Sequence, residues 1–180
     1  MKHYVFGLAL LLPMIGTVAA QEAANPDLVK RGEYLVNAMG CHDCHTPFMM
    51  GPNGPEPDMS KGLSGHPQEI KITAPAVVSD PWMGASSMTN TAHSGPWGVS
   101  FTANLTSDPE TGVLRDYTEA QFLQMMRTGR KQGQGRAILP PMPWPPFGKL
   151  NDDDLKAIFA YLKQVPPIKN KVPDPIKPPQ

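Results

Sequence analysis

Three amphipathic helical signals, the lack of any alternating strand and helix pattern, and a central stretch crowded with glycine and proline predict a single helical domain interrupted by a long loop-rich insertion. At 180 residues with 40% apolar content the chain is long enough to bury one core, while its 22 prolines require much irregular backbone. No internal repeat is present. The formal net charge of +0 excludes a nucleic-acid binder, which needs a surplus of Lys and Arg to displace counterions from phosphates.

The elements follow in order. Lys2 and His3 precede an apolar run from Tyr4 to Leu12, and small residues then lead to Val18, Ala19 and Ala20. This pattern predicts a signal peptide over residues 1–20 with cleavage after Ala20; the alternative is an uncleaved N-terminal anchor, and either way the domain is exported. The apolar stretch, broken by Pro13 and Gly16, is shorter than the roughly 20 residues of a spanning helix. Loss of Lys2 leaves the mature domain close to neutral.

From Asp27 to Met39 the residues Leu28, Val29, Gly32, Leu35 and Val36 share one helical face, with Pro26 before the start and Gly40 at the end. Phe48 to Gly98 is dense in Gly, Pro, Ser and Met, with only short apolar stretches, such as Ile70 to Val78, suited to a strand or hairpin arm. An insertion of this length is usually functional or mobile. Thr118 opens the second helix with Gln121 three residues later as a capping box, Phe122, Leu123, Met125 and Met126 form its apolar face, and Gly129 stops it. The third helix starts at Asn151, with Asp152, Asp153 and Asp154 on the positive end of its dipole. Leu155, Ile158, Phe159 and Leu162 form its stripe, and it ends before Pro166. The expected division is a folded domain over 25–166 with the loop-rich insertion at 49–98, followed by a proline-rich extended tail at 167–180.

The chemistry concentrates at Cys41-His42-Asp43-Cys44-His45, a C-x-x-C-H placed directly after the first helix and holding the only two cysteines of the chain. Two thiols about one helical turn apart suit addition to the two vinyl groups on one edge of a haem, and the next residue then lies under the iron. Cys41 and Cys44 are the expected covalent attachment points and His45 the proximal ligand. A disulfide between the two cysteines is the first alternative. A thioredoxin-like site would follow a strand, and a zinc site would need a second ligand pair that the sequence lacks. Methionine commonly supplies the sixth ligand of such a haem and raises its reduction potential. Met142 is the candidate, because Leu139-Pro140-Pro141-Met142-Pro143-Trp144 holds its thioether on a loop stiffened by proline, with Trp144 beside it to shield the haem face. Met125 and Met126 read as core residues of the second helix. Met49, Met50, Met59, Met83 and Met88 read as packing residues, with copper binding as the alternative.

On these residues the chain resembles a class I c-type cytochrome, the monohaem type found as single carriers and as cytochrome subunits of bacterial membrane-associated dehydrogenases. The likeness spans roughly residues 26 to 166. It rests on Gly32 and Tyr34 before Cys41 to His45, on Thr102-Ala103-Asn104-Leu105-Thr106, on Arg127-Thr128-Gly129-Arg130, on Leu139 to Trp144, and on the final helix with Tyr161. It implies an all-α fold in which the first and last helices cross at right angles above a haem, with Gly32 allowing close approach to Phe159 or Tyr161. The region Met49 to Trp97 is much longer than in a minimal member.

His66 and His93 lie in that insertion, where they read as surface residues or as alternatives to Met142 on the iron, and His42 reads as an exposed spacer. Arg127, Arg130, Lys131 and Arg136 precede the Met142 loop and suit either haem propionates or an acidic partner surface. The expected function is an exported carrier of single electrons with one covalently attached haem c, soluble or as a dehydrogenase subunit, with a positive reduction potential and no substrate of its own. Its expected partners are an upstream dehydrogenase and a downstream oxidase or cytochrome, with membrane association only through a partner or an uncleaved signal. The rival readings are a haem-based gas-binding or peroxidase-like protein with a labile sixth ligand, and a Met-rich copper-handling protein.

Overall fold

The computed structural model describes residues 25–178, so the expected signal peptide lies outside the described residues. Helix α1 spans Pro26–Ala38 and opens on Asn25, whose side chain accepts a hydrogen bond from the Asp27 amide at 3.0 Å. Gly40, at φ +69°, turns the chain into the short helix α2, Cys41–His45. Helix α3, Glu119–Thr128, starts on the Thr118 and Gln121 capping box and ends on Gly129. Helix α4 is the single turn Trp144–Phe147, and α5, Asp152–Leu162, begins on Asn151, which caps the Asp154 amide at 2.7 Å.

The insertion overturns the all-α expectation. Phe48–Gly51 (β1) and Gly54–Pro57 (β2) form an antiparallel hairpin, and Ala85–Ser86 (β3), Ala92–Gly95 (β4) and Gly98–Phe101 (β5) form an antiparallel sheet in the order β3-β4-β5. The fold is mixed α and β, with five α-helices and two small sheets among the described residues. The physical reason is that the chain must pair its backbone N–H and C=O groups where it becomes buried, as at β4 and β5, and hairpins do so locally. Ala-His-Ser-Gly and Gly-Val-Ser-Phe are too short and too poor in branched residues to announce themselves as strands. Residues 70–78, whose side chains suit a strand better, lie in no strand.

The core is built by α1, α3 and α5. Leu35, Val36, Leu63, Leu114, Phe122, Met126, Leu155 and Ile158 form one buried cluster, with Phe122 and Phe159 ring centroids 5.3 Å apart. Helices α1 and α5 pack so closely that a Cβ at Gly32 would collide with the Ala157 carbonyl and with Cβ of Tyr161. Of the two residues expected opposite Gly32, Tyr161 is the one it meets. Arg127 ties the end of α3 to the start of α5 through the Gly148 and Leu150 carbonyls and Asp152.

The proline-rich tail is fastened to the insertion. Val99 and Ile176 exchange two backbone hydrogen bonds of 2.8 and 3.0 Å, which extends the sheet by one bridge. Asn170 is buried; its Nδ2 donates to the Ser64 and His66 carbonyls and its Oδ1 accepts from the Gln68 amide.

Two outcomes follow in chemical unfolding of the purified protein. Gly32→Ala lowers stability by about 2 kcal/mol or more, because the helices have to separate to admit the methyl. Asn170→Ala costs about 1–3 kcal/mol by stranding buried carbonyls, and speeds amide exchange at Val99 and Ile176.

Candidate functional site

Helix α2 carries Cys41, Cys44 and His45 on five consecutive residues, all half-buried, and both cysteines are free thiols with no disulfide between them. Burial, helped by the charge of Asp43, pushes the Cys41 thiol up to about 11, and the same two causes raise Cys44. Both are protonated at neutral pH, unlike the low-pKa thiolate of a disulfide-exchange enzyme.

The His45 ring makes one hydrogen bond. Its Nδ1 donates to the carbonyl of Ala103 at 2.9 Å, which fixes the tautomer of the neutral ring and leaves Nε2 as the lone-pair nitrogen. Burial lowers its pKa and so favours that neutral form. A carbonyl behind the ring nitrogen opposite the metal is the usual way a ligating histidine is oriented. The loop bearing Ala103 is fixed by Asn104, whose Nδ2 reaches Thr111 Oγ1 at 3.1 Å and the Ile168 carbonyl at 2.8 Å, and whose Oδ1 accepts from the Thr106 amide and hydroxyl. The Gly65 amide donates to the His45 carbonyl, and the His66 amide to the Thr102 carbonyl, so the insertion clamps the same loop from its other side. Spacing alone pointed to the cysteines and His45; the Ala103 carbonyl left no trace in the sequence because its action is made by backbone, although Asn104 beside it stood in the quoted Thr-Ala-Asn-Leu-Thr run.

Met142 is half-buried and packs on the core cluster that Cys41 also borders. Its loop is held from two sides: Ser100 Oγ of β5 donates to the Pro140 carbonyl at 2.6 Å, and the Ile138 amide donates to the Gly129 carbonyl at 2.8 Å. Met126 is buried and Met125 partly so, while Met49, Met50, Met59, Met83 and Met88 are exposed and outside the core. The exposure expected of the other histidines is corrected: His66 is fully buried, His93 is 5% exposed, and His42 is half-buried with Nδ1 against Thr46 Oγ1 at 2.8 Å. His66 is satisfied by Thr91 Oγ1 and the Ile70 carbonyl, which leaves neither ring nitrogen for a metal. The insertion buries these rings because its backbone folds into sheet and wraps them.

A cavity of about 930 Å³ opens beside Ala103 and is lined by Phe101, Val113, Tyr117, Lys131, Gln132 and Arg136 and by the tail at Lys169, Lys171 and Asp174. Cys41, Cys44, His45 and Met142 are not among its lining residues. Of the basic cluster, Lys131 and Arg136 face this cavity, Arg127 is engaged with α5, and Arg130 donates to the Gly135 carbonyl. The donor set on α2, two free thiols one turn apart and an oriented imidazole, fits a covalently held haem. Among the described residues no cluster of three or more His, Cys, Asp or Glu able to hold a metal ion forms, and no helix is long and apolar enough to cross a membrane.

No protein-family model matches the chain. Over 170 residues it is 29% identical to the cytochrome c subunit of a quinone alcohol dehydrogenase from Gluconobacter oxydans, covering 93% of this chain and 28% of that protein. Over 156 residues it is 31% identical to the gluconate 2-dehydrogenase cytochrome c subunit of Pantoea cypripedii, covering 86% of this chain and 27% of that protein. The fructose dehydrogenase cytochrome subunit of Gluconobacter japonicus is 26% identical over 140 residues, covering 78% of this chain and 22% of that protein. The chain thus spans about a quarter of the length of the curated relatives it matches. These relatives are cytochrome subunits of dehydrogenases, in agreement with the expected electron-carrying cytochrome.

Asn104→Ala tests how the His45 clamp is built. Loss of the buried amide costs about 1–3 kcal/mol in urea unfolding, and the His45 Nδ1 proton, now on a looser carbonyl, exchanges with solvent faster in proton NMR.

Proposed function

We propose that this chain is an exported monohaem c-type cytochrome that moves single electrons as the cytochrome partner or subunit of a dehydrogenase. The observation that carries the reading is α2, where Cys41 and Cys44 stand as free thiols one turn apart and His45 is turned by the Ala103 carbonyl so that Nε2 is the nitrogen left to bind metal. One such segment and no further cysteine in the chain support a single haem. The cytochrome subunit names of the relatives support the partner class.

In this reading Cys41 and Cys44 would hold the haem through two thioether bonds, and His45 and Met142 would bind its iron. Haem c, once attached, supplies an iron that gains and loses one electron. The chain's own groups do the rest. The Ala103 carbonyl raises the basicity of His45 and stops its ring from rotating. The Pro140 to Pro143 loop, fastened to Ser100, keeps the thioether of Met142 in place through both oxidation states. Leu105, Leu114 and Met126 pack in the same apolar cluster as Cys41 and Met142, so they would exclude water from a haem held there and, with methionine ligation, would favour a positive potential. Residues 25–166 form the electron-carrying domain, 49–98 its insertion and 167–180 its tail. The segment at residues 1–20 directs export. Partner contact is a small transient interface.

The test is the visible spectrum of protein matured in a host that attaches c-type haem, compared with Met142→Ala. Wild type shows the far-red methionine-to-iron band when oxidised, and the variant loses that band, gains carbon monoxide binding when reduced, and keeps its haem. A band that survives the substitution rules out Met142 as the ligand.

A further inference from the structure

The loop that brings Met142 to the core has little packing of its own. From Arg130 to Ala137 its residues are exposed, apart from the half-buried Gly133. A stretch with so few buried contacts opens easily unless discrete contacts pin it. Two hydrogen bonds hold the chain just ahead of Met142: the Ile138 amide donates to the Gly129 carbonyl, and Ser100 Oγ donates to the Pro140 carbonyl. A thioether fixed from one side only could still swing away, so the hold on the far side of Met142 decides how firmly it stays.

Trp144 supplies that hold. Gly129, which ends α3 at φ +65°, is buried, and a Cβ there would collide with Cε2, Cζ2 and Cδ2 of the Trp144 indole. Both the left-handed turn and the close approach therefore call for glycine. A second glycine seats the same turn: a Cβ at Gly148 would collide with the Met126 carbonyl of α3. The Gly148 amide donates to the Trp144 carbonyl at 2.7 Å, and the Gly148 carbonyl accepts from Arg127. Helix α4 thus lies flush on the end of α3, with the indole as its contact. The Trp144 amide in turn donates to the Met142 carbonyl at 2.9 Å, which joins the methionine backbone to the seated residue. Gly129 receives both ends of the loop, Ile138 on its carbonyl and the indole on its bare Cα side.

We propose that Trp144 is a positioning residue for the sixth ligand: clasped on Gly129, its indole keeps Met142 in place and so limits the exchange of the thioether for ligands from solution. The proposal rests on the Met142 reading above, and gives Trp144 a task other than covering the haem face. The thioether competes with any added ligand for one position. An added ligand binds only the fraction of molecules in which the loop is open, so its apparent affinity rises in proportion as that fraction grows. Removing the indole leaves Gly129 without its contact and frees the far side of the loop.

The experiment titrates imidazole into the oxidised, haem-loaded protein and follows loss of the methionine-to-iron band in wild type, Trp144→Ala and Trp144→Phe. Haem mass and the urea midpoint are recorded for each, and Met142→Ala serves as the control for the band. Trp144→Ala retains haem and binds imidazole about tenfold more tightly than wild type, the ratio that follows when one aromatic packing contact is lost from the closed loop. Trp144→Phe, which keeps a ring against Gly129, lies between the two. If Trp144→Ala does not fold, Trp144→Leu, with apolar bulk but no ring, takes its place in the comparison. Imidazole affinity equal to wild type in a folded, haem-loaded variant without the ring overturns the proposal and leaves Met142 as the ligand, because a residue that only stabilises the fold moves the urea midpoint and not the competition. A band that persists in Met142→Ala ends the underlying reading, and this inference with it.

Discussion

The close approach of α1 to α5 at Gly32 is the constraint on which the rest of the structure depends. With no side chain at that position the backbone of α1 lies directly against the Ala157 carbonyl and Tyr161, which seals one side of the core. Because α2 follows α1 after a single turn at Gly40, the placement of Cys41, Cys44 and His45 is set by the same crossing. Arg127 adds α3 to this frame by binding the start of α5, and the Met142 loop hangs between the end of α3 and α4. The segments that carry His45 and Met142 are therefore referred to one packed helical unit, as the proposed redox site would need if its ligands are to move little between oxidation states.

Around that unit the insertion and the tail form a second structure made chiefly of backbone pairing. The β4–β5 hairpin leans on the Met142 loop through Ser100, Gly65 and His66 clamp the segment around Ala103, and Asn170 and Ile176 bind the tail to both. The insertion, with the strand β5 that closes it, thus touches the supports of His45 and Met142 while contributing neither. A segment so placed can tune a site without supplying its ligands, which is a more specific task than lengthening a surface loop.

The helices were legible because their ends carry side chains with one physical job. Thr118 with Gln121, and Asn151 before three aspartates, satisfy helix amides in the structure as their order predicts. Cys41 to His45 was legible because the only two cysteines of the chain and a histidine fall within five consecutive residues. The sheets were not, since β4 and β5 consist largely of Gly, Ala, Ser and His and owe their pairing to the need to satisfy buried backbone; the branched residues near Ile70 to Val78 drew attention to a stretch that stays irregular. For the same reason His66 and His93 read as surface residues and are buried. The support of His45 by Ala103 is a backbone contact across 58 positions, which no local pattern encodes.

The central claim is that Cys41 and Cys44 hold one haem. The measurement that tests it most directly is the intact mass of the protein, matured in a host that attaches c-type haem and then extracted with acidified organic solvent. The account predicts a mass higher than the polypeptide by one haem, resistant to extraction, with both cysteines blocked to alkylation. A mass equal to the bare polypeptide, with both thiols free or joined in a disulfide, would contradict it.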